Sequence, residues 1–451
     1  MPIAEVALSS SETDETVFLW DIKTNAVLAT YKQSGGTSKH GLSLLGKSYF
    51  VCSQKTKNNI RHYTWLNDTP REKSTTVENC SVIVGTKDGS LFLGGSTSGK
   101  IYVWETSTGN LLNVLTAHYS KISCLKFSDD RSFLISCGED GIVSVWNLSR
   151  LISQENAKAI HTFSGHALPI TDIYVGYGLE QARITTVSLD RSCKMWELTT
   201  ESLLFSLIYP CALCAVVLDP AESLLFVGGT DGKIFQSILY SDLFVTRTRS
   251  YESGLPTEDK IEELVYHGHS QAVTCLSLSL DASLLVSASE DGTLIVWDVQ
   301  CRQQLRTFNK HGGFFFNTIF FFFAKTFFLA GPVTNLLLLT KPTTLFTEKF
   351  DYCVPPISPL NRYKSAMAAS VPVVIPPFRS SFYVDDGANK GLLPAIRPSF
   401  LDDSDETKRN LQEKILSLSA KTDSLETELA RVKSLNSELF ARLLRSGGCP
   451  I

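Results

Sequence analysis

The sequence predicts an all-β chain built from about seven copies of one small sheet. Six tryptophans recur between residues 20 and 297; the first four gaps between them are 45, 39, 42 and 50 residues, and the last gap, 101, is two repeats long. Each Trp ends a short run of strand-favouring residues, such as TVFLWDI or GTLIVWDV. Self-similarity at a period of about 40 to 45 residues indicates a repeat architecture, so each Trp marks the end of one repeat.

Three repeats also carry a fixed set of polar residues. An Asp stands six residues before the Trp, a hydroxyl residue four before that Asp, and a His 28 to 30 residues before the Trp. The sets are His118, Ser136, Asp140 and Trp146; His166, Thr186, Asp190 and Trp196; and His269, Ser287, Asp291 and Trp297. Ser, His and Asp together are the residues of a hydrolase triad. A catalytic set is unique in a chain, whereas this one recurs with a Trp each time, so the pattern predicts a structural role.

These repeats resemble the WD-repeat family, in which Gly-His stands near the start of a repeat and Trp-Asp at its end. The resemblance covers residues 3 to 340 or so. It implies a β-propeller of four-stranded blades, in which the His, hydroxyl, Asp and Trp form a buried hydrogen-bonded chain. Counting a degenerate repeat with Ser237 in place of the Trp gives seven blades. The first residues supply only part of a blade, so we expect a strand near residues 333–339 to complete that blade. The propeller domain is therefore expected to comprise residues 1–341.

A phosphate-loop pattern, G-x-x-x-x-G-K-[ST], runs from Gly41 to Ser48. A working phosphate loop lies between a buried strand and a helix, whose N-terminal amides meet the phosphate. Here a Gly/Ser/Thr-rich loop is expected before the pattern, and the strand-like SYFVCS follows it. The aligned repeats instead predict a hairpin that turns at Gly46-Lys47-Ser48. We therefore expect no ATP or GTP binding.

Charge and cysteine content exclude other functions. The net charge of −4 argues against a chain that neutralises nucleic-acid phosphates, so no direct sequence-specific nucleic-acid binding is expected. Cys211 and Cys214 form a C-x-x-C pair, but no second pair accompanies it, so neither a metal nor a cofactor is expected. The N-terminus lacks the basic start of a secretory signal.

The stretch from Gly312 to Gly331, GGFFFNTIFFFFAKTFFLAG, interrupts the repeat. Its hydropathy is that of a membrane span, although it contains polar residues and no flanking topology signal, so we expect no membrane segment. If residues 313–330 are removed, the joined sequence HGGPVTNL fits the repeat opening seen in HYSKISCL, HALPITDI and HSQAVTCL. A Phe run ending in Leu-Ala-Gly is what a translated pyrimidine tract ending in CAG would encode. We hypothesise that these 18 residues are a retained intron or a gene-model error.

The sequence changes character after the propeller. Residues 342–403 hold nine of the seventeen prolines, which predicts an extended tail that lies along its own propeller or docks on a partner. Residues 404–446 are predicted to be helical, opened by the acidic DDSDE and ended by two glycines.

The C-terminal helix carries a coiled-coil pattern. Two series repeat every seven residues: Leu411, Leu418, Leu425, Val432 and Leu439, and Ile415, Thr422, Leu429, Asn436 and Leu443. Asn436 holds an a position, where one buried Asn favours a parallel two-stranded register. Across such a dimer Lys421 faces Glu426, and Glu428 faces Lys433. The pattern predicts a parallel homodimer, and the alternative is one amphipathic helix packed on a partner or on the propeller.

The combination of the start MPIAEVALSSS, the propeller, the Pro-rich tail and the last helix looks like plant root-initiation-defective proteins and the WD-repeat protein eighteen family. The resemblance implies a nuclear, non-enzymatic scaffold of a complex that matures the large ribosomal subunit precursor, including spacer RNA removal. It also implies work with the AAA-type ATPase midasin and a role in plant meristem formation. The alternative is a substrate receptor of a cullin-type ubiquitin ligase, because Trp20-Asp-Ile-Lys23 and Trp297-Asp-Val-Gln300 approach the Trp-Asp-x-Arg of such receptors.

Overall fold

Each repeat folds into antiparallel strands because β-branched and aromatic residues alternate between turns rich in Gly, Asp and Ser. The structure, a computed structural model, describes residues 5–153, 157–178, 182–239, 264–309, 331–342 and 357–363. It contains seven four-stranded sheets, which are the blades of a β-propeller. The predicted seven-bladed all-β fold is therefore confirmed.

Each blade has an innermost strand, two middle strands and an outermost strand, in that order. Blade 1 consists of β28 (Val333–Thr340), β1 (Glu5–Ser11), β2 (Thr16–Asp21) and β3 (Val27–Lys32); blade 2 of β4 (Thr37–Leu45), β5 (Tyr49–Gln54), β6 (Asn59–Thr64) and β7 (Glu72–Thr75); blade 3 of β8 (Cys80–Gly85), β9 (Leu91–Ser96), β10 (Lys100–Glu105) and β11 (Leu111–Thr116). Blade 4 consists of β12 (Ile122–Phe127), β13 (Phe133–Gly138), β14 (Ile142–Asn147) and β15 (His161–Ser164); blade 5 of β16 (Ile170–Val175), β17 (Arg183–Ser188), β18 (Ser192–Glu197) and β19 (Leu203–Ile208). Blade 6 consists of β20 (Leu213–Leu218), β21 (Leu224–Gly229), β22 (Ile234–Ile238) and β23 (Val265–Tyr266); blade 7 of β24 (Val273–Leu278), β25 (Leu284–Ser289), β26 (Leu294–Asp298) and β27 (Gln304–Phe308). A short helix, α1 (Leu148–Ser153), follows β14.

Blade 1 joins strands from the two sequence ends of the propeller. Its innermost strand, β28, pairs antiparallel with β1, from Glu5 opposite Thr340 to Ser11 opposite Val333. The strand predicted near residues 333–339 is therefore confirmed. This pairing closes the ring without leaving a free strand edge between the first and last repeats.

The hydrophobic core lies between neighbouring blades. At the ring closure, for example, Ala7 and Trp20 of blade 1 pack with Val286 and Ala288 of blade 7 and with Val333. Because both faces of each sheet are covered, any polar side chain inside a blade must find its partner there.

The phosphate-loop pattern lies on a β-hairpin. Strands β4 and β5 flank Gly46-Lys47-Ser48, as the repeat alignment predicts. The expectation of a loop before the pattern is wrong, because Gly41 lies inside strand β4. A Cβ on Gly41 would lie 2.5 Å from the hydroxyl oxygens of Ser38 and Ser53, so glycine at this position permits close strand packing. The pattern thus continues into strand β5 and not into a helix.

Several predicted segments lie outside the described residues. They are the Phe-rich residues 313–330, most of the Pro-rich tail, and the C-terminal helix with its whole heptad series. Within the described ranges, no helix has the length and apolar content needed to cross a membrane.

Candidate functional site

Blade 4 contains a hydrogen-bonded chain of four side chains. The indole Nε1 of Trp146, on β14, donates to the Ser136 hydroxyl on β13 at 3.0 Å. His118, in the loop before β12, places its Nε2 2.8 Å from the same oxygen. Its Nδ1 lies 3.1 Å from the carboxylate of Asp140, in the turn between β13 and β14. The chain therefore connects two strands and two loops of the blade.

Blades 5 and 7 repeat this arrangement. In the order Trp to hydroxyl, His to hydroxyl and His to Asp, the distances are 3.0, 2.8 and 3.0 Å for Trp196, Thr186, His166 and Asp190, and 2.8, 2.7 and 3.3 Å for Trp297, Ser287, His269 and Asp291. The structure thus brings together each set that the sequence pattern grouped.

The protonation of these chains follows from burial. Burial lowers the pKa of His118 and of His166, so both imidazoles are neutral at pH 7. A neutral imidazole has one N–H, which the Asp carboxylate accepts at Nδ1, so Nε2 accepts the proton of the hydroxyl. Burial works to raise the pKa of Asp190, but hydrogen bonds from Ser192 and His166 outweigh it and lower that pKa. In blades 4 and 5, hydrogen bonds are therefore donated in one direction, from Trp through hydroxyl and His to Asp.

The hydroxyl groups of these sets cannot serve as nucleophiles. Ser136, Thr186 and Ser287 are each 0% exposed, and each oxygen already accepts an indole proton. A nucleophilic hydroxyl must be accessible to the substrate carbonyl, and it must lie within hydrogen-bond distance of its general base. We infer that the three sets stabilise blades.

The degenerate blades satisfy their buried groups differently, and sequence analysis missed the substitutes. In blade 6 the Tyr209 hydroxyl lies 3.1 Å from Ser237 Oγ. Tyr209 precedes its inner strand by four residues, the offset of the His in the complete sets, so that offset was a usable signal. In blade 1 Trp20 donates to Ser9 Oγ at 2.7 Å, and in blade 2 Trp65 donates to the carbonyl oxygen of Lys47 at 2.9 Å.

Blade 3 satisfies its Trp through the tail. Gly94 stands ten residues before Trp104, where the complete sets carry a hydroxyl, and a Cβ there would lie 3.1 Å from the indole ring. Trp104 Nε1 instead donates to the carbonyl oxygen of Asn361 at 3.0 Å. Residues 357–363, which we call the docked segment, thus lie on the chain's own propeller. The sequence left open whether the tail lies along its own propeller or docks on a partner; in the structure, this segment lies on the propeller.

A polar cluster bridges the central channel. The inner strand of blade 2, β4, is irregular between Thr37 and Leu42, and His40 has a positive φ of 55°. The Lys39 ammonium donates to the carbonyl oxygen of Cys214 on β20 at 2.7 Å, and His40 Nε2 lies 3.6 Å from Asp172 on β16. The bulge in β4 thus aims two basic side chains at the opposite blades.

The same cluster contains the one His/Cys/Asp/Glu group within the described ranges whose atoms are close enough for a metal. Ligand atoms of His40, Cys124 and Asp172 lie within 4.8 Å of one another. Burial raises the pKa of the Cys124 thiol to about 12, whereas zinc requires a thiolate. Asp172 already accepts the backbone amides of Ile173 and Val216. We interpret the cluster as a polar bridge between blades. The Cys211 thiol of the C-x-x-C pair donates to Asp231 at 3.3 Å.

The fold and the Trp-centred networks define a class, the WD-repeat β-propellers. The family model described as WD domain, G-beta repeat matches residues 109–147, 157–197 and 262–298, which contain the tryptophans of blades 4, 5 and 7.

The chain is also similar along most of its length to individual proteins. It is 31% identical over 441 residues to WD repeat-containing protein 18 of Homo sapiens, covering 94% of this chain and 92% of that protein. It is 31% identical over 391 residues to Protein ROOT INITIATION DEFECTIVE 3 of Arabidopsis thaliana, covering 82% of each. It is 32% identical over 260 residues to Pre-rRNA-processing protein IPI3 of Yarrowia lipolytica, covering 56% of this chain and 60% of that protein. The chain belongs to the WD repeat-containing protein 18 family.

Proposed function

We propose that the chain is a scaffold subunit of a nuclear complex that matures the large ribosomal subunit precursor, including pre-rRNA spacer processing. The observation that carries the proposal is the similarity of the chain to two proteins. One is WD repeat-containing protein 18, which matches over most of the chain, and the other is a relative named Pre-rRNA-processing protein IPI3. We place the protein in the nucleolus and nucleoplasm, with a midasin-type AAA ATPase among its partners. The similarity to a plant protein named for defective root initiation supports a role in meristem formation.

The proposed role is non-enzymatic. The hydroxyl groups of the three polar networks are enclosed within blades, and the phosphate-loop pattern forms a hairpin. A propeller of seven blades offers a large rigid surface, and the loops that join its strands are suited to protein contacts.

We propose that two copies join as a parallel homodimer through residues 404–446, so that the scaffold is bivalent. The heptad series with Asn436 at an a position supports this arrangement. Light scattering on the chain without residues 313–330 tests it: we expect a dimer that becomes a monomer when residues 404–451 are removed or when Leu425→Asp and Leu429→Asp are combined. A monomer before truncation, or a dimer after it, contradicts the proposal.

Affinity purification with mass spectrometry tests the main proposal. The tagged chain should recover ribosome-assembly factors, and its depletion should raise the level of spacer-containing pre-rRNA. If the intact chain recovers a cullin-type ligase adaptor and no assembly factor, the ubiquitin-ligase alternative replaces the proposal.

A further inference from the structure

The docked segment is held on blades 2 and 3 by contacts from Ile357 to Arg362. The backbone N–H groups of Ser358 and Asn361 donate to the carbonyl oxygens of Thr106 and Gly109, at 3.3 and 2.7 Å. The N–H of Leu360 donates to Ser74 Oγ at 3.1 Å. Backbone donors at three of four successive residues fix the register of the segment, so this contact is a peptide-binding site occupied by the chain itself.

Side chains of the segment add apolar and polar anchors. Leu360 is buried in the core cluster that contains Trp104 and Leu111. Gly109 has a φ of 71°, and a Cβ there would overlap the carbonyl oxygen of Pro359, so glycine permits the close approach. Because blade 3 has no hydroxyl for its indole N–H, the segment also completes a buried hydrogen bond of the propeller.

Ser358 occupies a place that suits a neutral hydroxyl and excludes a phosphate. Its Oγ donates to the carbonyl oxygen of Ser107 at 2.6 Å. In the part of the chain that the structure describes, both hydrogen bonds of Ser358 are donated by it, and both acceptors are backbone carbonyl oxygens of the turn that follows β10. The Glu105 carboxylate ends that strand and accepts a hydrogen bond from Thr108 in the same turn. A phosphate on Oγ would therefore face backbone carbonyl oxygens, in a turn that also carries the Glu105 carboxylate.

The residue after Ser358 is Pro359, and Ser-Pro is the dipeptide that proline-directed protein kinases modify. We propose that Ser358 is a phosphorylation site and that its modification releases the docked segment from blades 2 and 3. The kinase transfers the γ-phosphoryl group of ATP to Ser358 Oγ; the new O–P bond replaces the bond to the β-phosphate oxygen, ADP leaves, and the hydroxyl proton is released.

Modification converts a donor into a group of about −1.5 to −2 charge with acceptor oxygens only. Docking then loses the Oγ–H bond and meets repulsion from the carbonyl oxygens of Thr106 and Ser107. Since Ser358 is half-buried when docked, the kinase modifies the released segment, and the phosphate prevents its return. The site thus controls whether residues 357–363 stay on blades 2 and 3. This inference is independent of the proposed role in ribosome assembly.

The test uses the full chain, a purified proline-directed kinase, MgATP and hydrogen exchange measured by mass spectrometry. Phosphorylation should speed exchange of the amides of Ser358, Leu360 and Asn361 at least ~10-fold, equivalent to a loss of about 1.4 kcal/mol in docking. Exchange in strands of blades 5 and 6 should not change, which would show that the propeller stays folded.

Three variants distinguish the effect of the phosphate on Ser358 from the effects of losing the hydroxyl, adding a charge elsewhere and releasing the segment. Ser358→Ala should resist the kinase and keep most of the protection, because Leu360 and both backbone donors remain. Tyr363→Glu adds a charge at a side chain that is 75% exposed and should keep the protection as well. Leu360→Asp should release the segment without kinase and should be phosphorylated at Ser358 faster than the unmodified chain.

Two results would overturn the proposal. One is a chain that carries phosphate on Ser358 and retains slow exchange at Leu360 and Asn361. The other is the absence of phosphate on Ser358 even in the Leu360→Asp variant, where the segment is released.

Discussion

Ser136→Ala tests the hydrogen-bonded chain of blade 4. The substitution removes an oxygen that accepts from Trp146 Nε1 at 3.0 Å and lies 2.8 Å from His118 Nε2. The indole N–H and the imidazole Nε2 remain buried without a partner. Each orphaned group costs about 1–3 kcal/mol, so we expect the free energy of unfolding to fall by about 2–6 kcal/mol.

Ser123→Ala is the matched control in the same blade. Ser123, on β12, is half-buried, and within the described ranges its side chain makes a single hydrogen bond, from Oγ to the carbonyl oxygen of Cys137 at 3.1 Å. Losing one bond of this kind costs about 0.5–1.5 kcal/mol. Urea unfolding, followed by circular dichroism, gives the free energy of unfolding of each variant. The two values are compared when the slope of that free energy against urea concentration is the same for both variants.

A double-mutant cycle identifies the partner. In a Trp146→Phe background the indole N–H is already absent, so Ser136→Ala should cost about 1–2 kcal/mol less than in the unmodified chain. If Ser136→Ala costs no more than Ser123→Ala, or if its cost is the same in both backgrounds, the reasoning about the buried network is refuted.

Three further predictions concern a buried His, an exposed Tyr and the hairpin lysine. Both ring nitrogens of His62 are buried without a hydrogen-bond partner in the described part of the chain, and burial lowers its pKa from 6.5 to about 4. The unfolded chain therefore takes up a proton first as the pH falls, and up to about 3 kcal/mol of stability is lost between pH 6.5 and about 4. His62→Phe should reduce the dependence of stability on pH in urea unfolding measured across that range, and an unchanged dependence contradicts the prediction. Tyr119, 95% exposed in the loop before β12, should contact partners, because exposed aromatic residues often supply interface energy. Tyr119→Ala should lower partner recovery in affinity purification, whereas Leu280→Ser, at a 61% exposed side chain in the turn between β24 and β25, should not; equal recovery for both contradicts the prediction. Isothermal titration of the intact chain with MgATP or MgGTP should detect no binding, because Lys47 lies in a hairpin turn, and saturable binding that Lys47→Ala abolishes would contradict it.

The repeat pattern predicted the parts of the fold that depend on local periodicity. Trp146, Trp196 and Trp297 end equivalent strands, so their spacing located three blades and the residues that meet inside them. The position of β28 was also predictable, because the first blade lacked one strand. In the three complete blades, all four members of each Trp-centred network lie within one repeat.

Contacts without a repeating signature could not be predicted. The bond from Trp104 to Asn361 joins residues 257 positions apart, and among the described residues only blade 3 makes it. Lys39 and His40 reach opposite blades because β4 bulges, and such a register shift leaves no periodic trace in the sequence. Tyr209 differs from these contacts, because it keeps the offset of the His. It was missed because Tyr replaces His in the same repeat in which Ser237 replaces Trp, so both residue types change together.

The pairing of β28 with β1 has a consequence for the order of folding during synthesis. As the chain leaves the ribosome, blades 2 to 7 are complete before Val333–Thr340 is made, so blade 1 waits as a three-stranded sheet and the ring closes last. Twenty-four residues connect β27 to β28, and six would remain without residues 313–330. A fourfold longer connection adds only about 1.2 kcal/mol of closure entropy, so chains translated with or without those residues both complete the ring.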